Sequence, residues 1–501
     1  MLRSMFARKP LSMLYAEMKG ENRLRRVLGP WSLTSLGIGC VIGAGIFVIT
    51  GLAAHYKAGP ALIVSFGVAG VACIFSAMCY AEFAAMTPVA GSAYTYAYAT
   101  LGELLAWIVG WDLILEYTVA SATVAHGWSK YFQNFLGIFG AGVPKAVSAA
   151  PFDFDPATAA YALTGCVFDL PALAIVALLT VVLVRGIRES SRFNNVMVMI
   201  KVAVVLMVIA VGAFYVNPAN WTPFAPYGWT GISLFGKTVL GQSSGGAPVG
   251  VMAGAGMIFF AYIGFDSVST HAEEARNPRK DVPFGIMTSL LICTVLYIAV
   301  TAVITGMVPY DQIDIQAPVA DAFRRVGLRW AQFVVSLGAV VGITSVMLVL
   351  MLSQPRVLLA MARDGLLPQG FFGAVHPRFR TPWKSTILTG CSVGVMASFI
   401  PLGILAELVN IGTLLAFVIV CAAVLVMRYT NPEAPRPFRC PWVPAVPVLG
   451  ILFCLLLMFS LPSENWLRLV VWMLAGMVIY FLYGRHHSVM AHHGRKTART
   501  R

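Results

Sequence analysis

Three groups of residues in this sequence have types and spacings that could do chemistry. The stretch 231-GISLFGKT-238 fits the phosphate-loop spacing G-x-x-x-x-G-K-[ST], with Gly231, Gly236, Lys237 and Thr238 in register. A loop of that kind cradles nucleotide phosphates. The pairs His486–His487 and His492–His493 invite a metal. Lys201, Glu116, Asp112 and Asp266 stand as isolated charges in long apolar runs. A charge in such a setting is expensive, so each is a candidate for a substrate or ion path.

The first two groups weaken when their surroundings are read. A working phosphate loop needs a strand before it and a helix after it in a soluble domain. Here Trp221, Pro223, Pro226 and Trp229 precede the match and 241-GQSSGGAP-248 follows it. The expected role is an interfacial segment on the outer side of a membrane. A nucleotide-energised membrane protein is therefore the remote reading, and no ATP partner is expected. The histidine pairs lie in a basic polar tail without an acidic partner, whereas zinc sites need preorganised ligands and supporting contacts, so no metal is expected. The nine cysteines are scattered without a C-x-x-C and read as small apolar fillers. No nucleophile elbow or His/Glu metal cluster appears, which excludes an enzyme. Asn220-Trp221-Thr222 is a formal glycosylation sequon.

Composition explains where the isolated charges must sit. The chain has 501 residues, of which 58% are hydrophobic and 11% charged, against about 25% charged in a typical soluble protein. The apolar residues are gathered in blocks, and about 20 apolar residues cross a bilayer as a helix, where every backbone group must be bonded internally. Twelve blocks are expected to be membrane spans, at 31–55, 60–86, 102–130, 169–186, 193–215, 248–271, 285–308, 329–355, 384–402, 404–427, 443–461 and 466–484. The expected fold is an all-α polytopic membrane protein with 12 transmembrane helices. Its expected divisions are a tail at 1–30, five helices at 31–215, five at 248–427, two more at 443–484 and a tail at 485–501. Short loops fill the rest.

Twelve spans put both termini on one side. That side carries 26 of the 35 Lys and Arg, including 185-RGIRESSR-192, 272-AEEARNPRKDVP-283 and both tails. The positive-inside rule makes it cytoplasmic. The net charge of +14 follows from this loop bias. Nucleic-acid binding would need a soluble basic face, and none is visible. Membrane lipids are the expected surroundings and the plasma (inner) membrane the expected location. The first 30 residues are basic without an apolar segment ahead of a cleavage site, so no cleavable signal is expected.

Two blocks are built to fail as helices. The segment 37-GIGCVIGAGIF-47 holds four glycines, and 254-GAGMIFFAYIGFDS-267 mixes glycines with Asp266. They are the first and sixth blocks, five apart. Paired glycine-interrupted helices in corresponding positions point to an inverted-repeat transporter with its site at mid-membrane. A break frees backbone groups. Amides near Ala44, Gly45 and Ile46 would suit a carboxylate, since a helix N-terminus favours anions. Carbonyls near Phe260, Ala261 and Ile263 would suit an ammonium. Together they would read the backbone part of an amino acid.

The charges then take roles. Lys201 lies about two turns inside its helix, too deep for ready snorkelling. A buried lysine that can be charged or neutral offers proton coupling. Glu116 faces either the pathway or a structural partner. Asp266 either touches substrate or caps the half-helix beyond the break. In 342-GITS-345, Thr344 and Ser345 offer hydroxyls to Lys201 or, more commonly for such residues, to their own helix.

The segments 42-IGAGIF-47, 259-FFAYIGFDSVSTHAEEARNPRKDVPFGI-286 and 354-QPRVLLAMARDGLLP-368 resemble the amino acid–polyamine–organocation (APC) superfamily. Within it they look most like bacterial members of the cationic amino acid transporter branch, from about Leu28 to Tyr429. The resemblance implies the leucine-transporter-like fold of five plus five inverted helices with two additional ones. It implies proton-coupled uptake of an amino acid, with no cofactor beyond the proton as coupling ion. It places the substrate carboxylate at Ala44 and Gly45, with Val41 and Gly43 adjacent. It places the amino group at Phe260, Ala261 and Ile263, and Lys201 where sodium-coupled relatives hold a cation. A third-helix glutamate, here Glu116, is characteristic of the branch and is counted with the substrate site. The expectation is a secondary active L-amino acid transporter working by alternating access. The alternative is an exchanger of amino acids or polyamines.

Overall fold

A computed structural model describes residues 6–10, 13, 28–87, 92–155, 160–186, 191–235, 237–245 and 247–490. Most of the N-terminal tail, including Arg3, Lys19, Arg23, Arg25 and Arg26, lies outside the described residues, as do Arg188, Gly236, His492 and His493. Helices form on every apolar block. They are α1 (Pro30–Val41), α2 (Leu62–Met86), α3 (Ser92–Thr100), α4 (Glu103–Ile138), α5 (Leu170–Arg185), α6 (Ser191–Gly212) and α7 (Val251–Ile258). They continue with α8 (Pro278–Met307), α9 (Pro318–Arg325), α10 (Arg329–Arg363), α11 (Trp383–Phe399), α12 (Leu402–Thr430), α13 (Ala445–Phe459) and α14 (Ser463–Ile479). Among the described residues, eight helical runs are long and apolar enough to cross a membrane, and α5 and α13 are shorter apolar helices.

The differences from the expected blocks have local causes. Helix α8 starts at Pro278 rather than 285, so the presumed N-P-R-K-x-x-P loop is its first turns. Proline at the first helical position lacks only an amide that would have had no partner. The first block splits, and its second part runs as Gly45–Met86 through a bend at Gly59–Pro60. Short helices α3 and α9 fall in what read as loops. So do three antiparallel hairpins: β1 (Phe152–Asp155) with β2 (Ala160–Leu163), β3 (Ile232–Leu234) with β4 (Lys237–Leu240), and β5 (Gln242–Ser244) with β6 (Ala247–Val249). The phosphate-loop match is the β3–β4 hairpin. Lys237 opens a strand paired to Leu234, where a phosphate loop would open a helix.

Packing divides the helices into two groups. Helix α8 lies along α2 and α1, and α7 packs on α2. Helix α4 lies along α10, with α11 against both and against α5. Helices α6 and α12 bridge the groups: α6 touches α1, α8 and α10, and α12 touches α4 and α2. The two breaks therefore face a wall of α4 and α10.

Both described chain ends meet at one end of the bundle. Glu103 N, at the start of α4, donates to Ala7 O (3.1 Å), and Lys9 Nζ pairs with Asp364 Oδ1 (2.9 Å). Val489 N donates to Asp364 O (3.1 Å), and the Glu103 carboxylate accepts from Ser488, Tyr480 and Tyr98. His487 is occupied by Tyr483, through its carbonyl (3.0 Å) and its ring. Among the described residues no three His, Cys, Asp or Glu are gathered to hold a metal. Asn220 of the sequon donates to Gly306 O (2.7 Å), which ties that loop to the end of α8.

One ion cluster fastens α12 to α2. Glu82, 1% exposed, accepts from Arg428 Nη2 (2.7 Å) and the Cys440 amide (2.7 Å), and Arg436 Nε lies 3.3 Å away. Removing one member of a buried pair leaves uncompensated charge, at a cost of about 3–5 kcal/mol. Arg428 is partly exposed, so the lower end applies. Glu82→Ala should lower the thermal midpoint of the detergent-solubilised protein by roughly 3 °C or more. An unchanged midpoint would show that the cluster contributes nothing to stability.

Candidate functional site

The first break follows directly from the sequence. Helix α1 ends at Val41, Ile42 turns to an extended conformation (ψ 102°), and helix resumes at Gly45. The resumed helix starts with amides that have no partner one turn earlier. Its first backbone bond, Phe47 N to Gly43 O, is 3.3 Å long. The second break begins where α7 tightens into a 3-10 turn at Phe259–Tyr262. Ile263 is extended, and Gly264 takes a left-handed φ of +114°. A short helix, Ser267–Thr270, follows.

The two breaks touch, and glycine makes this possible at two points. A Cβ on Gly45 would stand 2.3 Å from Ala261 Cα, and one on Gly264 would stand 2.9 Å from Cys40 O. Between them lies a small pocket. One wall is Cys40, Val41, Gly43, Ala44 and Gly45, and the other is Phe260 and Ile263. Ala120 and Val124 of α4 and Val346 and Leu350 of α10 close the sides. No charged side chain is on this lining.

The freed carbonyls at the end of α1 are held from two directions. Lys201, fully buried on α6, donates from Nζ to Gly39 O (2.6 Å) and Ile42 O (3.1 Å). Its stem crosses α10 at Gly342, where a Cβ would come within 3.1 Å of the lysine Cγ. A cation suits this place, because the C-terminal end of a helix is the negative end of its dipole. The Tyr297 hydroxyl on α8 reaches Val41 O (2.7 Å) and Ala261 O (3.0 Å), one carbonyl from each break.

The sequence has close counterparts among known proteins. Residues 28–482 match the family model described as amino acid permease. The chain belongs to the amino acid permease family. It is 49% identical to the branched-chain amino acid permease BcaP of Bacillus subtilis (strain 168), over 97% of this chain and 98% of that one. It is 48% identical to the methylthioribose transporter of the same organism, over 97% and 99%. It is 31% identical to the vacuolar cationic amino acid transporter 4 of Arabidopsis thaliana, over 94% of each. These relatives are named as permeases and transporters, and the chain is an integral membrane protein that is not an enzyme.

Within this permease the expected site residues separate. Val41, Gly43, Ala44, Gly45, Phe260 and Ile263 line the cavity together. Ala261 does not line it, and its carbonyl accepts from Tyr297. Glu116 does not line it either. It is buried one turn below Ala120 on α4, beside Asp112, Asp266 and Thr413. Asp266 accepts from the Gly264 amide (3.3 Å) and the Tyr117 hydroxyl (3.4 Å), and it makes no side-chain cap to the helix after it. It thus fastens the break itself rather than capping forward. Thr344 donates to Val340 O (2.7 Å) and accepts from Trp128 Nε1 (2.9 Å). Ser345 donates to Gly342 O (3.0 Å). Both bonds go to their own helix, and Lys201 instead meets the α1 carbonyls. Tyr297, Tyr117 and Gly342 escaped the sequence reading. Gly342 opens the quoted 342-GITS-345, and the two tyrosines carry no signal that separates them from packing aromatics.

The Gly45–Ala261 contact makes a sharp test. Gly45→Ala must push the two breaks apart, an overpacking that typically costs about 1–3 kcal/mol. It should abolish substrate-induced thermal stabilisation and reduce uptake by more than about tenfold. Gly67→Ala on α2, where a Cβ meets nothing within 4 Å, should leave both unchanged. Equal behaviour of the two variants would sink the assignment of this contact to the site.

Proposed function

We propose that this permease takes up a neutral amino acid with an apolar side chain, by alternating access coupled to a proton. The observation that carries the reading is the cavity. Its lining joins the start of the resumed first helix on one wall to Phe260 and Ile263 of the second break on the other, with apolar side chains between. The amides at Ala44 and Gly45 would take the carboxylate, favoured by the helix dipole. The carbonyls around Phe260 and Ile263 would take the ammonium. A cationic side chain would want a carboxylate on the lining, and Glu116 and Asp266 are both elsewhere. The name of the branched-chain permease relative agrees with an apolar pocket.

Proton coupling rests on Lys201. As an ammonium it clamps the end of α1 through charge-assisted bonds, which are roughly twice as strong as neutral ones. Loss of the proton would weaken that clamp and release the inner half of the first helix. The fixed ammonium would repel sodium from the same place. In proteoliposomes, an inward-directed proton gradient should accelerate uptake of a branched-chain amino acid. Lys201→Ala should remove the acceleration while the protein stays folded. Full gradient-driven uptake by Lys201→Ala would end the coupling role. Counterflow without net uptake in the unmutated protein would favour exchange. A thermal-shift panel should show stabilisation by Leu, Ile or Val and none by Arg or Lys, since a ligand that binds the native state raises its melting point.

The proposed orientation puts both termini in the cytoplasm and the β1–β2 hairpin outside. Cys166, between that hairpin and α5, gives a handle. Desolvation opposes its ionisation, but hydrogen bonds with Thr164 and Ser148 outweigh this and hold its thiol below the ordinary value. A membrane-impermeant maleimide added to intact cells should label Cys166, and Cys166→Ser should lose the label. Labelling only after permeabilisation would invert the topology.

A further inference from the structure

The two broken blocks, the first and the sixth, are each met from the block four places further on. From α6, the fifth block, Lys201 Nζ reaches Gly39 O and Ile42 O at the end of α1. From α12, the tenth block, Asn410 Nδ2 reaches Gly256 O (2.8 Å) and Met257 O (3.0 Å) at the end of α7. Asn410 is fully buried. Both of its contacts are carbonyls, which only accept, so both amide protons point at α7. Among the described residues its Oδ1 meets no donor. A buried acceptor without a partner is costly, and an apolar side chain would avoid that cost. The two donated bonds are what the asparagine adds.

Their place in the chain gives them a role. Gly256 lies one helical turn before Phe260, which lines the pocket. In a continuing α-helix the two carbonyls would accept from the amides of Phe260 and Ala261. The chain instead tightens into the 3-10 turn Phe259–Tyr262, where amides turn to carbonyls three residues back. Asn410 supplies donors to the carbonyls at that junction and so fixes where α7 stops. Its own helix is held close to α4: a Cβ on Gly412 would stand 2.9 Å from Asp112 Oδ1.

We propose that Asn410 is a positioning residue for the amino group of the substrate: by holding the end of α7, it sets which carbonyls of the second break are free and where they point. Without it, Gly256 O and Met257 O take the amides of Phe260 and Ala261. The α-helix then runs on into the break, and the Phe260 carbonyl turns along the helix axis. The carboxylate end of the substrate, at the first break, has no such dependence. The inference rests on the reading of the pocket as an amino acid site.

The test compares L-leucine with 2-hydroxy-4-methylpentanoate, which carries a hydroxyl in place of the ammonium. Thermal-shift affinities for both are measured on the purified protein and on Asn410→Leu, which removes the donors at similar volume. The unmutated protein should prefer leucine by at least about thirtyfold, because a site built for one polar group rejects an analogue lacking it. Asn410→Leu should lose about tenfold or more for leucine and stay within about twofold for the hydroxy acid. A general loosening of the fold would weaken both alike. Equal losses, or an unchanged leucine affinity, would overturn the proposal. Asn410→Ala repeats the comparison with a smaller side chain and decides it if the leucine side chain disturbs folding. An unmutated protein that binds neither compound, or both equally, fails the site reading itself, whereas a preference for leucine that survives the substitution fails only the asparagine.

Discussion

The structure depends on one constraint: a backbone that leaves helical geometry inside a membrane must still bond its amides and carbonyls. Water is scarce there, and an unsatisfied group costs several kcal/mol. Two breaks within helical runs create such groups in pairs, and this permease answers them with side chains. Lys201 takes two carbonyls at the end of α1, Tyr297 takes one from each break, and Asp266 takes the Gly264 amide. Gly43, Ala44 and Gly45, at the start of the resumed helix, line the pocket between the breaks.

The same constraint explains why glycines gather where they do. Gly45 and Gly264 bring each break against the backbone of the other, closer than any Cβ would permit. Gly342 performs a related service at a distance, letting the lysine stem pass over α10 to reach α1. Lysine and glycine packing are therefore parts of one arrangement around the breaks. The lining that results carries no charged side chain, and Val124, Val346, Leu350 and Phe260 are its bulkier members.

Much of this was legible in the sequence, and for physical reasons. Spans show because apolar runs must be long, and the breaks show because four glycines within 37–47 are out of place in a straight helix. Lys201 shows because a charge deep in an apolar run is costly. Other features carry no such mark. Tyr297 sits in an apolar helix where aromatics are ordinary packing, and only its hydroxyl's neighbours distinguish it. Glu116 announces itself as strongly as Lys201, yet a helix period places it one turn off the cavity. Hydropathy tells depth along a helix but not which face a residue occupies. The phosphate-loop match is set aside by its surroundings in the sequence, and the chain there pairs as a hairpin. The left-handed backbone at Gly231 (φ +92°) and the turn after Leu234 fold β3 onto β4.

The part of the first helix before the break is short and held by few groups. Helix α1 has 12 residues, fewer than a bilayer crossing needs, and its far end is bonded through Lys201 and Tyr297. Those two donors come from α6 and α8: α8 packs with α1 and α2, whereas α6 touches α1, α8 and α10 and so bridges the two groups. Lysine and tyrosine thus reach the same short stretch of backbone from two different helices, and the carbonyls they hold there run only from Gly39 to Ile42.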